Sequence, residues 1–511
     1  MGDIAHSSPV LVAAPNDGYA DPSYAAFRSS KMGRTPVIYV GANDGMLHGF
    51  RESDGVEVMA YVPSAVYPNL RSLTEQSYPH RAFVDGHIQV NDAQFSDGWH
   101  SVLIGGLRAG GKGLFAIDVT NPSFSESSPG SAVLWEFRSD DDANLGFAYG
   151  HPVIAKLKNG KWAAIFGNGY NSNSGKAGLY VAYIEDGKSG WSSGSNFRFI
   201  DTGEPVGATP NGLSSPAVID LDGDGIVDYA YAGDLYGNVW KFDLTSASMS
   251  GWSVSKKLFV AKDSVGSAQP ITTAPEATLH PKGGVFVLFG SGKMIEEADL
   301  ADARVQSFYG VWDTTYPTVI DRSKLLGHVF SNNEDHVATS NTLRTVDTGT
   351  PDWWDPATNV YGRLGWYVDL KENGAALGER VIEDPVLVDG KILFISTVPT
   401  DDPCKASGYS WLNEVDAVTG ARLPVPPFDL NRDGAFDVND TMSGGTVPSS
   451  RKISPAGGFP VIVRDTDSGA GGGSGACVDN KVIKKSDGTV EMVADPCTPS
   501  SGRLNWRDLA R

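Results

Sequence analysis

Four aspartates lie within the nine residues from Asp220 to Asp228, and their spacing is that of a calcium-binding loop. Such a loop places ligands at positions 1, 3, 5, 7 and 9, with a glycine at position 6 where the backbone turns most sharply. Four carboxylates this close repel one another unless a hard cation lies among them, and an all-oxygen set without His or Cys favours calcium over zinc. The predicted ligands are Asp220, Asp222, Asp224, the backbone carbonyl of Ile226, and Asp228.

The segments on both sides of this loop have the composition of β-strands and not of helices. Pro216-Ala-Val-Ile leads into the loop, and residues 227–233 and 234–244 follow it with alternating or β-branched and aromatic residues. Position 12, where an EF-hand has a bidentate Glu, is Tyr231, so the loop is not an EF-hand. A calcium loop between two strands is the kind found in integrin-type β-propellers. The alternative is that the Asp-Gly repeats merely form polar turns.

The composition limits the fold and the partners of the chain. Its 511 residues include 60 Gly and 30 Pro, and 10% are aromatic, which favours many short strands and turns. The 41 Lys and Arg against 61 Asp and Glu give a net charge of −20. This charge argues against nucleic acid and against an anionic membrane surface as partners.

A short phrase recurs along the chain: a polar or small residue, a proline and an apolar run. In most copies an apolar strand, a Gly-rich turn and a strand with aromatic residues follow, as in residues 231–243. A unit of about four strands repeated in this way is a propeller blade, so the repeat predicts an all-β, modified β-propeller with seven blades. The seven copies begin at Ser8, Trp99 (a degenerate copy without proline), His151, Ser215, Ala274, Asp384 and Ser454.

We expect a single β-propeller domain over residues 1–511. Two long insertions, at residues 51–100 and 314–360, are too polar and irregular to be blade strands. Helices are few, and the candidates are Ser23–Lys31 and Met294–Leu300, which we expect to decorate loops.

Residues 425–511 contain a second aspartate-rich loop, followed by a flexible Gly-rich loop and a closing C-terminal segment. The second loop fills positions 1, 3, 5, 7, 9 and 12 of the calcium pattern, as in dockerin-like loops. Its neighbours lack a helical pattern, so a plain Asx-rich turn is the alternative. The predicted ligands are Asp429, Asn431, Asp433, the carbonyl of Ala435, Asp437 and Asp440.

Cys477 and Cys497 flank a turn-rich segment, so we expect them to form a disulfide, with Cys404 left over. Three inert thiols in a cytosolic protein are the alternative, and composition does not separate the two. No apolar run is long enough for a transmembrane helix, and residues 1–4 lack the basic and apolar regions of a signal peptide. Either the protein is cytosolic, or the chain is a fragment whose targeting sequence lies upstream.

Several longer phrases resemble the C-terminal domain of PilY-type proteins, the type IV pilus biogenesis factors and tip-associated adhesins. The resemblance extends from residue 3 to the last residues of the chain, and several of the phrases are specific to that family. It implies a quinoprotein-like β-propeller, the C-terminal fragment of a larger secreted bacterial protein, with calcium in the loop at Asp220. The phrases are Asp3-Ile-Ala-His-Ser-Ser-Pro, Tyr39-Val-Gly-Ala-Asn-Asp-Gly-Met-Leu-His, Ala60-Tyr-Val-Pro-Ser, Gly233-Asp-Leu-Tyr-Gly-Asn-Val-Trp-Lys-Phe-Asp, Gly378-Glu-Arg-Val-Ile-Glu-Asp-Pro-Val-Leu, Asp402-Pro-Cys, Ser410-Trp-Leu-Asn-Glu-Val-Asp-Ala and Gly502-Arg-Leu-Asn-Trp-Arg.

The resemblance also implies a function. In PilY-type proteins, calcium in this loop governs whether pili stay extended or retract, and hence twitching motility. By resemblance, the cofactor is Ca²⁺ and the partners are major or minor pilins and a host cell surface, with roles in fimbrium biogenesis, adhesion and virulence. The location is the pilus tip and outer cell surface, reached through the periplasm. The integrin-binding Arg-Gly-Asp of some relatives is scrambled here to Arg432-Asp-Gly, so integrin binding is not implied.

An enzyme is the alternative, because quinoprotein dehydrogenases use the same propeller class and calcium. Such an enzyme needs a site where the quinone stacks and usually has a vicinal cysteine pair, whereas the three cysteines here are far apart. Since a fold does not fix a function, we expect a binding and regulatory domain without enzymatic activity.

Overall fold

The computed structural model describes residues 2–204, 209–336, 339–355, 357–358, 362–400, 408–465 and 478–496. Within them β-strands are the main regular structure, and they form seven sheets. These residues form two compact units, one with residues 2–235 and 240–257, and the other with residues 236–239 and those from 258 onward. All three cysteines lie outside the described residues, so the disulfide between Cys477 and Cys497 and the free Cys404 stay predictions.

The first three sheets each contain four antiparallel strands in sequence order. Their strands are β1 (Val10–Val12), β2 (Val37–Gly41), β3 (Leu47–Arg51), β4 (Glu57–Tyr61), β5 (Ile88–Phe95), β6 (Gly98–Gly106), β7 (Gly113–Asp118), β8 (Val133–Arg138), β9 (Val153–Lys156), β10 (Trp162–Gly167), β11 (Gly178–Tyr183) and β12 (Phe197–Asp201). Every residue of the central strands β10 and β11 is buried, whereas the edge strand β8 is buried only in part. Central strands are packed on both faces, which explains their apolar sequences.

The other four sheets are less regular. Their strands are β13 (Ala217–Ile219), β14 (Tyr229–Gly233), β15 (Asn238–Asp243), β16 (Ser253–Val260), β17 (Glu276–Leu279), β18 (Val285–Gly290), β19 (Ser307–Asp313), β20 (Ile320–Asp321), β21 (Leu326–His328), β22 (Glu334–His336), β23 (Asn341–Arg344), β24 (Gly365–Asp369), β25 (Val386–Val388), β26 (Lys391–Val398), β27 (Tyr409–Asp416), β28 (Ser450–Ile453), β29 (Gly457–Asp465), β30 (Val478–Lys485) and β31 (Val490–Pro496). Their orders are β13-β14-β15-β16-β20, β17-β18-β19-β24-β21, β22-β23-β28-β27-β26-β25 and β29-β30-β31. The short strands β20 and β21 pair parallel with β16 and β24.

Helices are short in the described part of the chain. The helix α1 (Pro22–Ser30) matches the first helix candidate, and the Asp21 carboxylate caps it by accepting from the Ser23 N–H (2.8 Å). A second helix, α2 (Tyr67–Leu70), has a single turn. No helix within the described ranges has both the length and the apolar character needed to cross a membrane. The 3₁₀ helices are Ser64–Val66, Arg71–Thr74, Arg108–Gly110, Pro129–Ser131, Asp186–Ser189, Met249–Gly251, Glu297–Ala301, Arg322–Lys324, Val438–Asp440 and Ser443–Gly445.

The repeated proline phrase marks edge strands. In five sheets the proline directly precedes an edge strand, namely β1, β9, β13, β17 and β25. Proline cannot donate a ladder hydrogen bond, and an edge strand tolerates this loss. The degenerate copy at Trp99 was placed wrongly, because Trp99 lies on the inner strand β6 and the edge strand of that sheet is β5.

Both predicted insertions are shorter than the sequence indicated. Residues 51–100 contain the strands β4 and β5 and the start of β6, so the loop between strands runs only from 62 to 87. Residues 314–360 contain the short strands β20 to β23. Polarity was misleading because a strand can bury polar residues when other elements satisfy their hydrogen bonds. On β5, the buried Asp92 is accommodated by hydrogen bonds from Tyr24 (2.6 Å) and Ser101 (2.5 Å).

The second helix candidate, Met294–Leu300, is not an α-helix. The chain forms a 3₁₀ helix at Glu297–Ala301, shifted toward the C-terminus. The buried Asp299 carboxylate accepts the backbone N–H groups of Ile295 (2.8 Å) and Glu296 (2.9 Å) and pairs with Lys293 (3.0 Å). The bond from Glu296, the N-cap residue, is part of a capping box, so Asp299 fixes the start of the 3₁₀ helix at this point.

Candidate metal centre

The first aspartate-rich loop, residues 220–228, joins the edge strand β13 to β14, as the sequence predicts. The two strands pair antiparallel, with Ile219 opposite Tyr229 directly beside the loop. Within the loop, the buried Val227 donates its backbone N–H to the carbonyl of Lys156, the last residue of β9 (3.0 Å). The loop is therefore held by strand pairing at its ends and by the neighbouring sheet at Val227.

Asp220, at position 1, organises the turn. Its carboxylate accepts the backbone N–H groups of Gly223 (2.7 Å), Gly225 (2.7 Å) and Asp224 (3.2 Å). Gly223 and Gly225 have φ values of +79° and +82°, and a Cβ at either position would meet no other atom. A larger side chain would have room at both positions. Glycine is favoured there because the backbone is in the left-handed region.

Three carboxylates come together in this loop. Asp220, Asp222 and Asp224 each have an oxygen within 4.8 Å of the others, with Asp222 and Asp224 exposed and Asp220 half-buried. The N–H of Ile226 fixes Asp224 by donating to its Oδ1 (2.9 Å). Like charges at this spacing repel one another, and a set of oxygen donors matches a hard cation such as calcium.

Asp228, at position 9, lies outside this group of three. Its Oδ2 accepts the N–H of Leu221, at position 2, over 2.9 Å, so that it closes the loop. Burial raises the pKa of Asp228, and the charges of Asp222, Asp220 and Asp224 raise it further. The other three carboxylates therefore disfavour the ionised form of Asp228.

A lysine that the sequence did not indicate reaches the loop. Lys158 lies in the turn between β9 and β10, and its Nζ is 3.0 Å from Oδ2 of Asp224. This hydrogen bond lowers the pKa of Asp224. The two residues are separated by 66 positions, so no spacing in the sequence connects them.

The second aspartate-rich loop has the same turn. The Asp429 carboxylate accepts the N–H groups of Asp433 (3.2 Å) and Gly434 (2.9 Å), as Asp220 does in the first loop. Asn431 accepts the N–H of Asp433 (3.0 Å), and Asp433 accepts the N–H of Ala435 (2.8 Å). Gly434, at position 6, has a φ of +79°. The backbone of a calcium-type loop is therefore formed here without flanking helices.

The two loops differ in which residue closes them. Asp440 closes the second loop from position 12. Its fully buried side chain accepts the N–H of Leu430, at position 2 (2.7 Å). Asp437, at position 9, is exposed and instead caps a short 3₁₀ helix by accepting the N–H of Asn439 (2.8 Å). Burial raises the pKa of Asp440, and the charge of Asp429 adds to the rise. The sequence pattern predicted both positions as ligands and did not separate these roles.

Comparison with known proteins places the chain in a family. Residues 1–324 match the family model described as the PilY1 beta-propeller domain. The type IV pilus biogenesis factor PilY1 of Pseudomonas aeruginosa (strain PAO1) is 36% identical over 554 residues, which cover 100% of this chain and 45% of that protein. A PilY1 homolog of Xylella fastidiosa is 37% identical over 555 residues, covering 100% of this chain and 36% of that protein. The chain thus spans less than half the length of these relatives.

A solved structure supports the same assignment. The crystal structure of the P. aeruginosa PilY1 C-terminal domain has a TM-score of 0.78 and 33% identity, and covers 96% of this chain and 100% of that chain. The family model and this structure confirm the predicted all-β propeller class, and the seven sheets equal the predicted number of blades. The chain belongs to the PilY1 β-propeller domain family.

Proposed function

We propose that this chain is the calcium-responsive propeller domain of a type IV pilus biogenesis factor. The names of the two curated relatives support the pilus role. The observation that carries the calcium site is the convergence of oxygens from Asp220, Asp222 and Asp224 within 4.8 Å. The proposed ligands are these three carboxylates, the Ile226 carbonyl and Asp228.

In this proposal the loop residues hold the ion and the strands transmit its effect. Calcium supplies the positive charge that offsets the mutual repulsion of the carboxylates. The carbonyl of Asp228 accepts the N–H of Leu244, the residue after β15 (2.9 Å), so the loop is bonded directly to the end of that strand. The segment from 234 to 244 is further fixed by Trp240, which donates to the buried Asp234 (2.9 Å).

We infer that the segment from 234 to 244 loosens when the charges of the loop are not balanced. A surface that changes with calcium in this way suits a regulator of pilus extension, retraction and twitching motility. The proposed partners are major or minor pilins, with adhesion to a host cell or other surface, and the proposed location is the pilus tip. The role is binding and regulation, in agreement with the biogenesis-factor names of the relatives.

The affinity for calcium should allow a response to external calcium. Without a bidentate Glu at position 12, where Tyr231 stands, we expect a dissociation constant of roughly 1 to 100 micromolar. Calcium at a hundredfold excess over that constant should stabilise the folded domain by about 2.7 kcal/mol.

Calorimetric titration of the purified chain with calcium tests the proposal. Asp224→Ala and Asp228→Ala should each abolish binding at the first loop while the circular dichroism spectrum stays unchanged. Asp433→Ala is the matched control, because it removes the position-5 carboxylate of the second loop and leaves the first intact. Undiminished binding by Asp228→Ala when Asp433→Ala is also present would refute the site. In cells, Asp224→Ala in the full-length gene should change twitching motility.

We also propose calcium at the second loop, because its turn hydrogen bonds repeat those of the first. The proposed ligands are Asp429, Asn431, Asp433, the Ala435 carbonyl, Asp437 and Asp440. In the same titration, the chain with Asp224→Ala should retain one binding event, and Asp433→Ala should remove it. If Asp224→Ala alone abolishes all binding, the second loop is a plain turn.

A further inference from the structure

Four charged side chains lie buried together where β26 and β27 meet the C-terminal sheet β29-β30-β31. Lys391 and Glu414 come from the first pair of strands, and Lys481 and Asp495 come from β30 and β31. The side chains of Lys481 and Glu414 are 0% exposed, that of Asp495 is 1% exposed, and that of Lys391 is 12% exposed. Buried ions are costly unless they are paired closely, so this cluster requires an explanation.

Lys481 is in contact with both carboxyl groups. Its Nζ donates to Oε1 of Glu414 and lies 3.1 Å from Oδ2 of Asp495. Oε2 of Glu414 is buried and receives no hydrogen bond from the described residues. The Lys481 amine therefore lies within reach of the Asp495 carboxyl group, to which it could bond. The Glu414 carboxyl group lies beside the same amine.

The surroundings of Lys481 are apolar. Its Nζ lies 5.5 Å from the centre of the buried Phe428 ring, and on β31 its pairing partner is the buried Val493. Burial raises the pKa of Glu414, and the charge of Asp495 raises it further. Because Glu414 accepts a hydrogen bond from Lys481, it is placed to take up a proton from the amine and pass it on.

We propose that Lys481 and Asp495 condense to an intramolecular amide bond, with Glu414 as the proton-transferring acid. Nζ of Lys481 forms a bond to Cγ of Asp495, and one C–O bond of Asp495 breaks. The oxygen leaves as water with two protons from the ammonium group, and the third proton stays on the amide nitrogen. Glu414 relays these protons and ends in its starting state, so no other reactant is consumed.

The condensation removes one positive and one negative charge from the buried cluster. Lys391 and Glu414 then form the remaining pair, 3.7 Å apart. Since buried ions carry a large desolvation cost, the loss of two of them favours the product. The new bond also fastens β31 to β30 covalently, so that the hairpin of the C-terminal sheet cannot separate at this point.

Lys391 is the competing amine, because its Nζ is 2.6 Å from both oxygens of Asp495. It also donates to the carbonyl of Pro496 (3.2 Å), so several oxygens hold it as a cation. Burial acts to lower the pKa of Lys391, but the charges of Glu414 and Asp495 outweigh burial and raise it. Of the two amines, Lys481 donates a hydrogen bond to Glu414, whereas Nζ of Lys391 lies 3.7 Å from that carboxyl group. Lys481 is therefore the amine that can pass its protons directly to Glu414.

Mass spectrometry of the purified, denatured and reduced chain tests the proposal. The mass should be lower than that of the sequence by one water molecule, and a trypsin digest should contain one branched peptide that joins Lys481 to Asp495. Glu414→Gln should restore the full mass while the circular dichroism spectrum shows a folded chain. Lys391→Met is the matched control and should keep the loss of water.

The wild-type mass alone decides the matter if the variants do not fold. A full sequence mass for the folded wild-type chain would show that the cluster is only a set of buried ion pairs and would overturn the proposal. A branched peptide through Lys391 would overturn the assignment of Lys481, and a branched peptide in folded Glu414→Gln would overturn the role of Glu414.

Discussion

Lys158 places its ammonium nitrogen 3.0 Å from Oδ2 of Asp224, so that a cation of the protein lies against a proposed calcium ligand. The Lys158 side chain is 43% exposed and that of Asp224 is 36% exposed, so solvent screens the pair. A calcium ion that uses Asp224 must weaken this ion pair and approach a positive charge. In the proposed site, Lys158 is therefore expected to weaken calcium binding from the neighbouring sheet.

Replacement of Lys158 should tighten calcium binding. An exposed ion pair contributes little because solvent screens it, so Lys158→Met should lower the calcium dissociation constant by a few-fold at most. Titration calorimetry at constant ionic strength measures the change. Lys161→Met is the control, because Lys161 lies near the same turn, is 48% exposed and pairs with Asp186 instead. Equal or weaker binding by Lys158→Met would show that the lysine does not compete with the ion.

Asp440 should be more important for folding than the other aspartates of its loop. It is fully buried and accepts the N–H groups of Leu430 (2.7 Å) and Asp437 (3.1 Å), which lose their partner in Asp440→Ala. The N–H of Leu430 is buried, and a buried donor left without a partner costs about 1 to 3 kcal/mol. We expect a clear fall in the melting temperature without calcium, measured by differential scanning calorimetry, and a much smaller fall for the exposed Asp433→Ala. Equal falls in the melting temperature of Asp440→Ala and Asp433→Ala would contradict the greater importance of the buried carboxylate.

The local pattern of the first loop was enough to predict its structure. Aspartates and glycines at fixed offsets form hydrogen bonds within a few residues, as between Asp220 and Gly225, so the sequence contains the information. The proline phrases likewise located five edge strands, because proline excludes a ladder hydrogen bond. Contacts between distant residues were missed: nothing in the spacing connects Lys158 with Asp224 or Lys481 with Glu414.

Polarity was a poor guide where buried polar residues are paired. Residues 88–95 contain Asn91 and Asp92, and the sequence therefore assigned them to an insertion, although they form β5. Tyr24 and Ser101 donate to the carboxylate of Asp92, and Tyr19 donates to the side-chain oxygen of Asn91. No local pattern can show these contacts. In the second loop, burial and not spacing separates Asp440 from Asp437.

The buried pair of Arg344 and Glu379 should be costly to break. Both side chains are 0% exposed, and Nη1 of Arg344 donates to Oε2 of Glu379 over 2.9 Å. Glu379→Ala leaves a buried guanidinium without its carboxylate, which should lower the free energy of unfolding by about 3 to 5 kcal/mol. The double variant Arg344→Met with Glu379→Leu should recover most of this loss. Urea unfolding measures both, and a double variant as unstable as Glu379→Ala would contradict the explanation.

Asp17 should make the stability of the chain depend on pH near neutrality. Its Oδ2 accepts the N–H of the buried Asp92 (3.3 Å), and its own N–H donates to Tyr24 Oη (2.9 Å). Burial raises the pKa of Asp17 to about 7 from its ordinary value of 3.8, and the charge of Asp92 contributes to the rise. The neutral carboxyl group is thus favoured in the folded chain.

The direction of the change in stability with pH follows from the number of protons that the folded and unfolded chains bind. Between pH 3.8 and about 7 the folded chain holds the Asp17 proton and the unfolded chain does not, so stability falls as pH rises through this window. Asp17→Asn keeps an acceptor oxygen without the charge. Since one pKa unit corresponds to ~1.4 kcal/mol, the variant should be more stable than the wild type by roughly 4 kcal/mol at pH 8, and by little or nothing at pH 4. Chemical unfolding at pH 4, 6 and 8 measures the difference, with the exposed Glu52→Gln as the control for the loss of one negative charge. A stabilising effect of Asp17→Asn that grows toward low pH would reverse the sign and disprove the assignment.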